Sequence, residues 1–211
     1  MTLGNSPQLS SAADAIITAA EGLLADRTTP ILIALDGPSG AGKSALASFL
    51  AKQLDATIVP SDHFFAAEIT RAGWDARSAR DRAAEAIDWR RMRRDALEPL
   101  RASKPARWHA FDFDAGTRPD GTYAMQAAFT ERQPARVIIL DGVYPTRPEL
   151  ADLIDLSVLV DVPMEVRRER LAVREAASFL ESWHSRWAAA EAYYFAKVRP
   201  LASFDLVVST A

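Results

Sequence analysis

Residues 37–44 have the types and the spacing of a loop that binds phosphate groups. They read G-P-S-G-A-G-K-S and match the pattern G-x-x-x-x-G-K-S, between an apolar run and a helical pattern. Glycines let successive backbone N–H groups turn toward one anion, and the following helix adds the positive end of its dipole. Lys43 would then reach the β- and γ-phosphates of a nucleotide, and Ser44 would offer its hydroxyl to Mg²⁺. The candidate nucleotide-binding residues are Gly37, Pro38, Ser39, Gly40, Ala41, Gly42, Lys43 and Ser44.

Two aspartates follow predicted strands, at positions where an α/β sheet would bind ligands. Asp62 follows the short run 56–60, and Asp141 ends the apolar run that begins at residue 135. Ligands of open α/β sheets lie beyond the carboxyl ends of the strands. Asp62 is therefore a candidate general base or water-mediated Mg²⁺ ligand, with a helix cap or a turn as the structural alternative. Asp141 is a candidate Mg²⁺ ligand, with a strand-ending turn as its alternative.

A helix predicted to begin near Pro163 carries arginines at helical spacing. Arg170 and Arg174 lie four residues apart, so they share one face of that helix. Cations beside a transferring phosphoryl group stabilise its negative charge, and both arginines are therefore candidate catalytic residues. A second arginine run, at 90–94, is interpreted as a solvated helix face that follows a capping residue, Asp88.

Apolar runs and helical patterns alternate along the chain, and this predicts a mostly parallel, doubly wound α/β sheet. The first ten residues are expected to be loose, and a first helix is predicted at 11–25. Aromatic and polar residues alternate within 104–117, as in a strand or a hairpin arm. Further predicted elements are a short helix at 148–153 and strands at 156–160 and 204–208.

The composition is typical of one globular α/β domain. The chain has 211 residues, of which 49% are hydrophobic and 25% charged. Its net charge of −3 gives no reason to expect nucleic-acid binding, and the lack of cysteine excludes disulfides and thiolate zinc sites. No secretion signal or 18-residue apolar run occurs, so we expect a cytoplasmic protein without membrane contact. A homo-oligomer is compatible with the sequence, which does not decide the oligomeric state.

Two classes of function fit these residues. One is an enzyme that moves a phosphoryl group to a small molecule, and the other is a P-loop ATPase or regulatory nucleotide-binding protein that acts through a protein partner. Guanine-specific switches need an Asn-Lys-x-Asp element, whereas the one asparagine of this chain is Asn5. The arginine-bearing helix favours the enzyme, because a transferring phosphoryl group needs nearby cations.

From residue 30 to residue 208, the order of these segments resembles the uridine kinase-like P-loop kinases, neighbours of phosphoribulokinase and pantothenate kinase. Residues 62–65, D-H-F-F, look like the family's Asp-Ser-Phe-Tyr segment, and residues 86–89 are similar to its Asp-Ala-Phe-Asp segment. Residues 111–113 look like its Tyr-Asp-Phe arm, and Asp141 stands where the family has a glutamate before glycine.

The resemblance implies a fold and a set of roles. The fold would be a three-layer α/β/α domain over 1–211, with strand order 2-3-1-4-5, an N-terminal helical extension at 1–29, an acceptor-side arm at 104–118 and a lid region at 163–186. ATP would lie on the phosphate-binding loop with Mg²⁺ near Ser44 and Asp141. The implied catalytic residues are Asp62 as base, with Lys43, Arg170 and Arg174 balancing charge. The implied substrate-binding residues are Asp88, Phe111 and Asp112.

The chain also departs from the family's pattern. The arm's tyrosine is Phe111, and a histidine that helps to read uracil falls near Gly116, with no histidine replacing it. These departures lie in the parts that read uridine, whereas the phosphoryl-transfer residues are retained. We therefore expect an ATP-dependent kinase for a hydroxyl of a small molecule, nucleoside or sugar-like, with poor activity on uridine and cytidine.

Overall fold

Five parallel strands form the central sheet, and two further strands pair as an antiparallel arm. The computed structural model describes residues 6–174 and 186–211. Within them the strands are β1 (Ile31–Asp36), β2 (Thr57–Pro60), β3 (Ala106–Phe111), β4 (Met125–Arg132), β5 (Val137–Asp141), β6 (Leu156–Val160) and β7 (Leu206–Val208).

Helices connect the strands and cover both faces of the sheet. Along the described residues they are α1 (Pro7–Leu24), α2 (Lys43–Leu54), α3 (Arg71–Ala76), α4 (Ala79–Glu85), α5 (Trp89–Met92), α6 (Glu98–Arg101), α7 (Met164–Arg174) and α8 (residues 186–193). Wider π turns follow α5 and α8, at Arg93–Leu97 and Tyr194–Val198. Short 3₁₀ turns lie at Ser61–Phe64, Pro148–Leu150 and Leu201–Ser203.

The strand order of the large sheet is β2-β5-β1-β6-β7, and every neighbouring pair is parallel. Counted without the arm strands this is 2-3-1-4-5, so the predicted order is confirmed. Leu35 of β1 lies opposite Asp141 of β5, which lies opposite Pro60 of β2. The carboxyl ends of β1, β5 and β2 are therefore side by side, and the segments that follow them meet at one edge of the sheet.

Apolar side chains cover the sheet on both faces and give the fold three layers. Ile33 and Leu35 of β1 belong to a buried cluster that includes residues of α1 and α2. Leu32 and Ala34 belong to a second cluster that includes residues of α5 and α6. Successive strand residues point to opposite faces, and a parallel sheet covered on both faces is buried throughout. The predicted α/β/α architecture is thereby confirmed.

The first helix begins earlier than predicted. α1 starts at Pro7, whereas the sequence analysis placed the helix at 11–25 and expected the preceding residues to be loose. Ser6 caps the helix by accepting a hydrogen bond of 3.2 Å from the N–H of Leu9. Proline fits the first helical position because its missing N–H has no partner there, and the helix therefore starts at once.

The arm has a second strand that the sequence analysis missed. β3 lies inside the predicted stretch 104–117, but its antiparallel partner is β4, which reaches residue 132. Most residues of β4 are exposed, so no apolar alternation marks this strand in the sequence. Two boundaries also differ, since the last strand begins at Leu206 and the segment from Pro148 is a 3₁₀ turn of three residues.

Within the described residues, no helix is both long enough and apolar enough to cross a membrane. Of the predicted lid region at 163–186, residues 163–174 and residue 186 are described, and residues 175–185 lie outside the described residues.

Candidate active site

The loop between β1 and α2 needs glycine at its two ends. Gly37 has φ 146°, and a Cβ there would lie 2.5 Å from the carbonyl oxygen of Val160 on β6. Gly42 has φ 91°, in the left-handed region, and precedes the first residue of α2. Because α2 starts at Lys43, the free N–H groups of its first turn face the loop, as an anion site requires. The predicted order of strand, glycine loop and helix is therefore present, and phosphate binding by residues 37–44 stays a prediction.

The Lys43 ammonium lies against the loop's own backbone. Its Nζ donates to the carbonyl oxygens of Gly37 at 2.6 Å and Pro38 at 3.2 Å. Among the described residues, the cation therefore donates to two neutral acceptors and to no carboxylate. Such an arrangement leaves its charge available to a phosphate group that enters the loop.

Asp141 ends β5 as a buried carboxylate with an unused oxygen. Its residue is 6% exposed, and its Oδ1 has no hydrogen-bond partner among the described residues. The pKa of Asp141 is raised, mainly because the carboxyl is buried, and the nearby Asp62 carboxylate adds to the rise. The Lys43 ammonium and a hydrogen bond from the Ser44 hydroxyl act in the opposite direction. The loop lysine, the loop serine and both predicted aspartates therefore interact at one edge of the sheet.

Asp62 lies in the 3₁₀ turn that follows β2 and faces the segment after β5. Its Oδ1 accepts a hydrogen bond of 3.1 Å from the N–H of Val143. A Cβ on Gly142 would lie 2.8 Å from the same oxygen, so only glycine permits this close approach. The turn places Asp62 close enough to Asp141 for the two carboxylates to influence each other electrostatically.

Asp36, at the end of β1, is a fully buried carboxylate that the sequence analysis missed. It accepts hydrogen bonds from the N–H of Gly37 at 2.8 Å, from the Tyr194 hydroxyl at 2.8 Å and from both donors of Thr146. Burial raises its pKa, whereas these donors and the Lys43 charge lower it. An apolar run that ends in aspartate marks both Asp36 and Asp141, so this signal could have found it.

Arg170 contacts the phosphate-binding loop and the C-terminal segment. One of its guanidinium nitrogens lies 2.9 Å from Thr210 Oγ1 and 3.3 Å from the carbonyl oxygen of Ala41, and the other donates to the Thr210 carbonyl at 2.7 Å. Its predicted catalytic role stays a prediction, because in this structure its donors hold the loop and the C-terminal segment together. Arg174 ends α7, and its side chain lies outside what the structure describes.

A cleft of about 900 Å³ lies between the arm and the residues around α5. Its charged walls include Asp88, Asp95, Glu68, Asp120, Arg91, Arg107 and Arg118, and its aromatic walls are Phe65, Trp108, His109, Tyr123 and Phe129. A volume of this size is within the range of small-molecule sites. The arm and the turn after β2 therefore enclose a space that a small molecule can enter.

The three predicted substrate-binding residues differ in their contacts. Asp88 lines the cleft and also caps α5, since its Oδ1 accepts from the N–H of Arg91 at 3.0 Å. Phe111 is buried, with its ring centre 5.0 Å from that of Phe65, a wall of the cleft. Asp112 accepts from the N–H of Asp114 at 3.0 Å and thus closes a turn. Substrate contact by all three stays a prediction.

Comparison with known proteins identifies the family. Residues 32–197 match the phosphoribulokinase/uridine kinase family. The chain belongs to this family. The resemblance drawn from its motifs is thereby confirmed, and the protein is a P-loop kinase. Curated protein sequences give no match.

Solved structures of similar fold include two proteins described as a possible and a putative kinase. A possible uridine kinase from Bacillus stearothermophilus has 19% sequence identity and a TM-score of 0.68, over 95% of this chain and 99% of that one. A putative fructose transport system kinase from Silicibacter sp. TM1040 has 25% identity and a TM-score of 0.65, over 96% of this chain and 99% of that one. The first likeness shows the fold, and both cover nearly the whole chain.

The residues beside the loop fit a magnesium ion, as kinases of this family would need. Mg²⁺ prefers oxygen ligands and is usually held by one or two protein groups together with substrate phosphates. The unused Asp141 Oδ1, next to the Ser44 hydroxyl, is such a donor set. Within the described residues, no group of three or more His, Cys, Asp or Glu side chains forms a metal site. A metal at the loop would therefore depend on the nucleotide for its remaining ligands.

Proposed function

We propose that this kinase transfers the γ-phosphoryl group of ATP to a hydroxyl of a small, polyhydroxylated molecule, nucleoside or sugar-like. One observation carries the proposal: Asp62 lies at the same sheet edge as the phosphate-binding loop and interacts electrostatically with Asp141. A carboxylate beside the nucleotide's phosphates is where a general base for an acceptor hydroxyl must be.

In the proposed reaction, the acceptor oxygen forms a bond to the γ-phosphorus of ATP. The bond from that phosphorus to the bridging oxygen breaks, ADP leaves with the electron pair, and the hydroxyl proton moves to Asp62. The Val143 N–H orients the Asp62 carboxylate, and Lys43 balances charge on the transferred group. Mg²⁺, held by Ser44 and Asp141 with the phosphates, would neutralise part of the developing charge.

The walls of the cleft support a polyhydroxylated acceptor. Two of its arginines already have partners: Arg91 donates to the His109 carbonyl at 2.8 Å, and Arg107 lies over the ring of Phe129 at 3.5 Å. The carboxylates have partners too, since Asp88 caps α5 and Asp95 pairs with Arg94, but a carboxylate can accept several hydrogen bonds and so can also accept from hydroxyl donors. The aromatic rings offer apolar faces. The similarity to a putative fructose transport system kinase, at 25% identity, also supports a sugar-like acceptor.

A substrate screen tests the proposal. Purified protein with ATP–Mg²⁺ is offered a panel of nucleosides, sugars and vitamin precursors, and release of ADP is measured. We expect at least one polyhydroxylated compound to stimulate ADP release, with uridine and cytidine among the poor acceptors. Turnover that no small molecule stimulates would contradict the proposal and favour a partner-driven ATPase.

Lys43→Ala is the matched control for the screen. We expect turnover to fall by about 10²-fold or more, because one preorganised cation at the transferring phosphate is lost. We expect the variant to stay folded, since the hydrogen bonds of Nζ within the described residues go only to two loop carbonyls. A variant with an unchanged melting temperature and wild-type turnover would show that Lys43 and its loop take no part in phosphoryl transfer.

A further inference from the structure

One face of helix α8 and of the π turn after it contacts three parts of the site: a wall of the cleft, the phosphate-binding loop and Asp36. Trp187, Glu191 and Tyr194 follow one another at intervals of four and three residues, which places them on the same side of a helix. The Trp187 ring lies 5.6 Å from that of Phe65, a wall of the cleft, and the Tyr194 hydroxyl donates to Asp36 at 2.8 Å. Glu191 lies between them and contacts the phosphate-binding loop.

Glu191 and Arg167 together hold both backbone groups of Ser39. Glu191 Oε2 accepts a hydrogen bond of 2.8 Å from the Ser39 N–H, and its Oε1 accepts one of 3.2 Å from Arg167 on α7. The same guanidinium nitrogen of Arg167 lies 3.5 Å from the Ser39 carbonyl oxygen. The side chains of Arg167 and Glu191 are only 17% and 21% exposed, so water screens this contact less than it would a surface ion pair.

The neighbouring residue shows how closely the loop is fitted to α7. Gly40 has φ 81°, and a Cβ there would lie 2.8 Å from the carbonyl oxygen of Arg167. The backbone of α7 therefore touches the loop at Gly40, while Glu191 of α8 binds the adjacent Ser39. Phosphoryl transfer depends mainly on the placement of the reacting groups, and displacements of about 1 Å can lower rates by about 10²-fold.

We propose that Glu191 is a positioning residue, which fixes Ser39 and Arg167 and so holds the phosphate-binding loop in the geometry needed for transfer. Its negative charge next to a phosphate site is tolerated because Arg167 pairs with it. A carboxylate is needed because both of its oxygens are used: one accepts from the Ser39 N–H and the other accepts from Arg167. The proposal rests on the proposed kinase function and adds a residue to it.

Steady-state kinetics of Glu191→Ala and Glu191→Gln test the role. We expect the alanine variant to lower kcat by about tenfold or more, with the acceptor KM within about threefold, because the loop is displaced rather than the acceptor site. Glutamine has one acceptor oxygen and should give an intermediate kcat. Glu169→Gln, an exposed residue of α7, is the control for loss of charge and should behave as wild type.

A double variant tests whether Glu191 and Arg167 act as one unit. If Glu191 and Arg167 act as one unit, Glu191→Ala combined with Arg167→Ala should lower kcat no further than about twofold beyond the worse single variant. Full multiplication of the two single effects would overturn the shared role. A lower melting temperature with wild-type kcat in Glu191→Ala would overturn positioning and leave a structural ion pair.

Hydrogen exchange at the Ser39 amide tests the contact without any activity. In Glu191→Ala we expect this exchange to speed up by about tenfold or more. The amide of Ile31 at the start of β1, bonded to the Arg136 carbonyl at 2.9 Å, lies outside the loop and should exchange at an unchanged rate. Unchanged exchange at Ser39 would overturn the proposal. Faster exchange in a protein that phosphorylates no acceptor would instead overturn the proposed function and support the contact.

Discussion

Asp36 and Asp141 show how one sequence signal leads to two different sites. Each ends a buried strand, and burial raises the pKa of each carboxyl. The oxygens of Asp36 are satisfied by donors that include Thr146 and Tyr194, which lie far along the chain. Asp141 keeps one oxygen without a partner among the described residues. Aspartates at strand ends can be found from sequence, but their roles depend on the donors that folding brings to them.

Replacing Asp141 by asparagine should stabilise the protein while removing its function. Because burial raises the pKa of Asp141, the charged form costs folding free energy at neutral pH. We expect Asp141→Asn to melt at a higher temperature than wild type at pH 7. Below the unfolded-state pKa of about 4, both states are protonated and the difference should vanish. Thermal melts from pH 7 to about one unit below that pKa measure this.

The control is Asp161→Asn, an exposed aspartate just after β6, which should show no such gain. Mg²⁺–ADP should raise the melting temperature of wild type and leave that of Asp141→Asn nearly unchanged. A lower melting temperature for Asp141→Asn at pH 7 would show that the carboxylate stabilises the fold, contrary to this account.

At the scale of the elements, α7 packs against the phosphate-binding loop and contacts its backbone through Arg170. Arg170 contacts the loop carbonyls and both oxygens of Thr210, and Thr210 Oγ1 itself donates to the Ala41 carbonyl at 2.7 Å. The sequence places Arg170 on a helix near the site, but its partner is 40 residues away and follows the last strand. A contact of this kind depends on how the elements pack and cannot be derived from spacing.

Arg170→Ala should therefore affect stability and catalysis together. Loss of hydrogen bonds from a charged donor should cost about 2 kcal/mol, or a few degrees in melting temperature. We expect kcat to fall by more than the KM for ATP rises, because the loop that carries the phosphates loses its support. Thr210→Val, which keeps the shape and removes the hydroxyl, should lower the melting temperature in the same direction.

Either of two results would change this view of Arg170. A lower kcat with unaltered melting would indicate direct stabilisation of the transferred group, as the sequence analysis predicted. Altered melting with wild-type kinetics would make Arg170 purely structural.

At the scale of the whole molecule, the parallel sheet was predictable and the arm was only partly so. Buried strands such as β1 and β5 appear in the sequence as apolar runs, and alternation with helices fixes a parallel, doubly wound sheet. β4 is mostly exposed and carries no such signal. The loop was recognisable because its glycines and lysine are constrained by local geometry. Glu191 and Thr210 reach the loop only through folding, and nothing in their local sequence marks them.

Asp62 follows β2, which lies two strands from β1 in the sheet, and it interacts electrostatically with Asp141 at the end of the strand between them. If the protein is a kinase for a small molecule, Asp62 must act on the acceptor and not on the nucleotide. Asp62→Asn keeps the size of the side chain and an oxygen that can accept from Val143, but it cannot take a proton.

The most direct test of the account is therefore acceptor-dependent ADP release by Asp62→Asn, measured beside its affinity for ATP–Mg²⁺. Asp114→Asn, an exposed aspartate of the arm region, serves as the control. We expect nucleotide binding within about threefold of wild type and a loss of transfer of about 10²-fold or more, the scale of general base catalysis. Acceptor-stimulated turnover that survives in Asp62→Asn would contradict the account.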